Sequence, residues 1–137
     1  MKILIHASLD FKQEILSAND WLKNNTNHQI ILPELTRYQH IRDEEGRFEE
    51  FNEIKNRLTK ENFANVERCD CLLILNYTHR GYENYVGGNS FMEMVLAYYL
   101  KKPIYLINPI PENMPYTEEI KSFYPKVLDS LKDFITM

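Results

Sequence analysis

Glu93 is the side chain in this sequence best placed to do chemistry. Every other position from 91 to 100 is apolar or aromatic, so the carboxylate belongs to a helix buried on most of its faces. An ionisable group in such a setting is costly unless it is paired or used. Three of the chain's four glycines, Gly81, Gly87 and Gly88, lie just ahead of it, followed by Asn89 and Ser90. Backbone amides at a glycine-rich helix start can hold an anion. A carboxylate in the first helical turn is favoured in its ionised form by the helix dipole, and an ionised carboxylate beside such a loop suits a nucleophile. The same spacing has a second reading. Ser90-Phe91-Met92-Glu93 matches a capping box, in which the glutamate only bonds back to the N-cap amide.

Other candidates gather around this turn, each with a plainer alternative. Ser8 follows the first apolar run, and Asn76 and Asn108 follow later ones, where they contact ligand or simply form turns. Tyr77, Tyr82 and Tyr85 offer faces on which a base can stack, or surface for a subunit interface. His6 reads as a hydrogen-bonded residue at a strand end or one that faces the crevice, and His79 as a loop residue. No two histidines or cysteines share metal-ligand spacing, so neither metal nor cofactor is expected. Cys69 and Cys71, two apart, would face the same way on a strand as buried free thiols, which suits a reducing cytoplasm.

The elements that must position these groups follow from periodicity. Short apolar runs at 3–5, 29–32, 72–75, 103–107 and 126–128 predict strands. Helical spacing predicts helices over 10–23, with Asp10 as N-cap, and over 89–100 and 117–123, with a last helical turn at 131–135. The polar stretch 34–68 predicts a helix carrying Phe48, Phe51, Ile54 and Leu58 on one face, its charged residues forming a solvated face, then a second short helix over 60–67. Three prolines in 108–115 impose an irregular loop. Five strands alternating with helices predict one α/β domain over 1–137. Its expected form is a doubly wound parallel sheet in the flavodoxin-like order 2-1-3-4-5, whose switch point gathers Ser8, Asn76 and the glycine loop.

Composition narrows the partners. The 137 residues are 44% hydrophobic and 26% charged, with a net charge of −4 and a pI near 5.6. No basic stripe is available to displace counterions from phosphates, which argues against nucleic acid. The opening MKILIHAS is too short an apolar stretch for a signal peptide and no segment reaches membrane-spanning length, so a cytoplasmic protein is expected. Met92, Val95, Leu96, Tyr98, Tyr99 and Leu100 offer more apolar surface than one sheet face needs, which predicts a homo-oligomer.

Taken together, SLDF at 8–11, CDCLLILN at 69–76, the segment 85–107 and the proline loop resemble the nucleoside 2-deoxyribosyltransferase-like superfamily, which includes hydrolases of nucleoside 5′-monophosphates. The most specific element is Gly87-Gly88, then Glu93, Ala97 and Lys102-Pro103. The resemblance implies that Glu93 attacks C1′ of the sugar, or stabilises the oxocarbenium-like centre, as the base departs, much as in retaining glycosidases. It implies that Ser8 contacts sugar or phosphate and that amides around Gly88, Asn89 and Ser90 hold a 5′-oxygen or phosphate. Two departures stand out. Asn62 occupies the place of an acid that helps protonate the base, and an amide cannot donate as a carboxylic acid does. The loop 77–89 is also longer, leaving Glu83 as one substitute acid. Asn62 therefore also admits a non-catalytic nucleotide-binding or sensing module. A phosphoacceptor receiver domain fits less well, because Asn76 stands where a phosphorylatable aspartate is needed.

Overall fold

The computed structural model describes residues 1–137. Its strands are β1 (Lys2–His6), β2 (Gln29–Ile31), β3 (Cys71–Ile74), β4 (Ile104–Leu106) and β5 (Lys126–Val127). All pair in parallel, in the order β2-β1-β3-β4-β5, as the apolar runs predict. The helices are α1 (Lys12–Asn25), α2 (Gln39–Arg42), α3 (Phe48–Arg68), α4 (Gly88–Tyr99) and α5 (Thr117–Ser122). Both sheet faces are covered, which is why β1 and β3 read as unbroken apolar runs. Leu4, Leu72, Ile74 and Leu106 pack under α3, α4 and α5 through Val66, Met94, Ala97 and Ile120. Ile3, Ile5, Leu73 and Leu75 point the other way, onto Ile15, Ala18 and Leu22 of α1 and onto Phe134.

Three local expectations change. The helix predicted to break before residue 60 continues as one helix of 21 residues. Thr59 does not end it, because its hydroxyl bonds back to the Lys55 carbonyl at 2.8 Å and so satisfies itself within the helix. Asp10 is not the cap of α1. Ser8 caps a short 3-10 turn over Leu9–Phe11 instead, its Oγ accepting from the Asp10 amide at 3.4 Å, and α1 starts only at Lys12. The two cysteines do not share a face. Cys69 ends α3 and packs in the α3/α4 layer, while Cys71 opens β3 on the α1 side. Both thiols are free and buried, and burial pushes that of Cys71 up to about 12.

Asn76 and Asn108 lock the ends of β3 and β4 together. The Asn76 amide nitrogen donates to the carbonyls of Asn108 and Pro109, both at 3.0 Å, and its Oδ1 accepts from the Asn108 amide at 3.0 Å. Asn76 is wholly buried, so removing it strands these groups away from water. Asn76→Ala is expected to cost about 3 kcal/mol of unfolding free energy, read from urea denaturation. A loss below about 1 kcal/mol would show that water substitutes for the amide.

Candidate functional site

The carboxyl end of β1, the start of α4 and one face of α3 surround a cavity of about 230 Å³. This is where ligands of open α/β sheets bind. His6, Ala7 and Ser8 form one wall where β1 ends, and Gly87 to Ser90 form the next. Opposite them stand Lys55, Thr59 and Asn62, which face the same way because α3 is unbroken and these positions recur at helical spacing. Pro33, Glu34 and Tyr38, between β2 and α2, and Gln39, which opens α2, close the remaining side with Arg80 and Tyr85.

The start of α4 is built without a side-chain cap. Gly87 is the N-cap, and the first bond runs from the Phe91 amide to the Gly87 carbonyl at 2.9 Å. The amides of Gly88, Asn89 and Ser90 therefore precede the helical ladder. Lys55 Nζ donates to Asn89 Oδ1 at 2.5 Å, setting a positive charge beside them. A Cβ at Gly87 would meet the Tyr85 ring at 3.4 Å, so glycine lets the tyrosine lie close against the turn. The turn itself is held from behind, because Tyr116 donates to the Val86 carbonyl at 2.6 Å.

This start excludes the capping box. Glu93 is the sixth residue of α4, beyond the first turn, and it is 1% exposed. Its one polar neighbour is His6, whose Nε2 lies 2.7 Å from Oε2. No other side chain or backbone group bonds either carboxylate oxygen. The other ring nitrogen, Nδ1, is 2.8 Å from Ser90 Oγ. Burial pushes the Glu93 carboxyl above its ordinary range, and the charge and proximity of His6 counter this only in part. The helix dipole is thus not the controlling influence that a first-turn position would have made it.

The rim is tied by Asp10, which the 3-10 turn presents outward. It meets Arg37 at 2.9 Å and His79 at 2.8 Å, joining the segment after β2 to the loop after β3. Desolvation would raise the Asp10 carboxyl, but His79 and Arg37 outweigh it and hold the group below its ordinary range. The loop is packed rather than loose. His79 stands edge-on to Phe11 at 5.3 Å and to Tyr85 at 5.4 Å, and Tyr82 stacks on Tyr85 at 6.1 Å. Arg80 and Gly81, with φ of 51° and 78°, make a tight turn bridging His79 and Tyr82 that carries the Arg80 side chain to the cavity.

This architecture recurs in known proteins. A 2-deoxyribosyltransferase from the psychrotolerant bacterium Bacillus psychrosaccharolyticus superposes with a TM-score of 0.62 at 18% identity, over 100% of this chain and 92% of that one. The chain has a nucleoside 2-deoxyribosyltransferase-like fold. The CMP N-glycosidase BcmB of Clostridium botulinum shares the fold, with a TM-score of 0.57 at 13% identity over 99% of this chain and 96% of that one. No protein-family model and no curated protein sequence matches the chain.

Within this deoxyribosyltransferase-like frame, Ser8, Asn62, Tyr85, Gly87, Gly88, Asn89 and Ser90 all line the cavity. Asn76 does not, being committed to the strand-end lock. Glu93 does not line it either, since it lies behind His6 and Ser90, which do. Lys55 and Glu34 were not legible as cavity residues from sequence. Lys55 belongs to a charge-rich stretch that reads as a solvated face, and only the packing of α3 against α4 brings it to Asn89. Among the described residues, no group of three His, Cys, Asp or Glu side chains is placed to hold a metal ion.

Proposed function

We propose that the protein cleaves or exchanges the N-glycosidic bond of a nucleoside or nucleoside 5′-monophosphate, with Glu93 as nucleophile. The observation that carries this reading is the placement of Glu93. It is a buried carboxylate with no capping role, in contact with a cavity-lining histidine. The fold shared with a 2-deoxyribosyltransferase and a CMP N-glycosidase supports the same chemistry. In this reading the 5′ end of the substrate lies on the α4 amides beside Lys55 and Ser8, and the base reaches Tyr85 and Asn62. His6 turns aside to admit the sugar, and Glu93 then takes C1′ from the face opposite the base.

The test is incubation with a panel of nucleosides and their 5′-monophosphates, with and without a free acceptor base, followed by chromatography for released or exchanged base. Release from any member supports the assignment. Absence of release across the panel defeats it. The alternative, a nucleotide-binding module without turnover, is favoured by the amide at Asn62 and the withdrawn position of Glu93. It predicts that a 5′-monophosphate shifts the backbone amides of Gly88, Asn89 and Ser90 in an NMR titration while no base appears.

The site is further proposed to work in a homo-oligomer. On the outer face of α4, Val95, Tyr98 and Tyr99 remain exposed, Tyr99 by 79%, whereas Leu96 turns inward against the core. Light scattering at micromolar concentration is expected to give a multiple of the 16.4 kDa chain mass. A strictly monomeric species would count against it.

A further inference from the structure

The contacts of His6 point to a different nucleophile in the same cavity. Glu93 has no polar neighbour except His6 Nε2 at 2.7 Å, so once ionised its carboxylate favours the ring proton on that nitrogen. In that tautomer Nδ1 is bare, and Ser90 Oγ, 2.8 Å away, is placed to donate to it. The order is hydroxyl, imidazole, carboxylate. This is the arrangement by which a serine is made nucleophilic, and it is recognised by geometry and role rather than by position in a sequence. The two ring nitrogens are exchanged relative to the usual assignment, which leaves the proton transfer chemically equivalent because either nitrogen accepts.

Two features of the surroundings fit. Ser90 and His6 both line the cavity, whereas Glu93 lies behind them, as an orienting acid does. Ser90 is the third residue of α4, so the uncapped amides of Gly88 and Asn89 precede it on the wall where charge would develop on an acyl oxygen.

We propose that Ser90, His6 and Glu93 form a nucleophile relay that hydrolyses small carboxylic esters, an activity independent of the glycosidic reading. Ser90 Oγ forms a bond to the acyl carbon while the ester C–O bond breaks. The hydroxyl proton passes to His6 Nδ1 and then to the departing alkoxide, and Glu93 stabilises the transient imidazolium. Water next attacks the acyl-serine, giving one proton through Nδ1 back to Ser90 Oγ. The products are a carboxylic acid and an alcohol. With His6 in place the cavity presents Ser90, and only with His6 turned aside does it present Glu93.

A fluorophosphonate probe and p-nitrophenyl acetate test this on the unmodified protein, with no nucleoside present. Peptide mass spectrometry is expected to find the phosphonyl adduct on Ser90, with ester turnover lost as the adduct accumulates. In His6→Ala the rate of labelling should fall at least about 100-fold, the scale of general-base assistance. Circular dichroism confirms that the variant is folded. An unlabelled Ser90 in the wild-type protein overturns the relay, as does labelling of a folded His6→Ala at the wild-type rate. Neither result bears on release of a base from nucleosides, so failure here and failure of the glycosidic assignment remain separable.

Discussion

Glu93→Gln is expected to lower glycosidic turnover about 1000-fold or more while leaving the protein folded, because it deletes a nucleophile and keeps its volume. The stability half of this expectation comes from the structure. Glu93 caps nothing, and its one polar contact is His6, which the amide oxygen of glutamine still meets. The pH dependence has a definite sign. The folded protein holds the Glu93 carboxyl above its ordinary value of 4.5, chiefly through burial, and so retains a proton that the unfolded chain has released. The group's contribution to stability is full below 4.5 and is lost as pH rises through the raised folded value, leaving a buried charge as a standing cost. Glutamine has no such proton. The melting temperature of Glu93→Gln relative to wild type should therefore rise as pH increases above 4.5. A relative fall over that range would mean that the His6 contact outweighs burial. Turnover that survives the substitution would remove Glu93 from the chemistry.

The second large effect should come from Asn62→Asp. Asn62 faces the cavity from α3, on the same helical face as Lys55 and Thr59, with no side-chain hydrogen bond to bind it elsewhere. In the glycosidic reading the departing base needs a proton. His6 cannot serve while it contacts Glu93, since the acid must act on the opposite side of the sugar from the nucleophile. An amide at position 62 does not supply the proton either. An aspartic acid there is expected to raise the rate about 10- to 100-fold, toward the lower part of the range for general acid catalysis. The gain should be largest for bases that leave poorly. An unchanged rate in a folded variant would show either that the base does not reach Asn62 or that bond cleavage is not the function. Glu34 is the other carboxylate on the cavity wall, and its pairing with Arg57 at 3.1 Å keeps it engaged at the rim.

What the sequence determined by itself was whatever depends on a short window. Apolar runs such as Leu72 to Leu75 marked buried strands, because a strand covered on both faces needs no polar alternation. Their alternation with helices was enough for a parallel sheet and, through the handedness of its crossovers, for the edge where the glycine turn would open. Ser8, Gly87, Gly88, Asn89 and Ser90 reach the cavity because they sit at that edge whatever the details of packing. Tertiary structure decided the rest. The start of α4 at Gly88 carried Glu93 out of capping range, and burial beneath His6 then reversed the expected effect on its carboxyl. Residues 84 positions apart meet in the contact of His6 with Ser90, and 34 apart in that of Lys55 with Asn89. Asn76 went to a strand-end lock and Asp10 to a rim clasp, although each resembled something else locally. The physical reason is common to all of these. Propensity and periodicity act between near neighbours along the chain, whereas the partner of a polar side chain and the cost of burying it depend on which distant surfaces are pressed together.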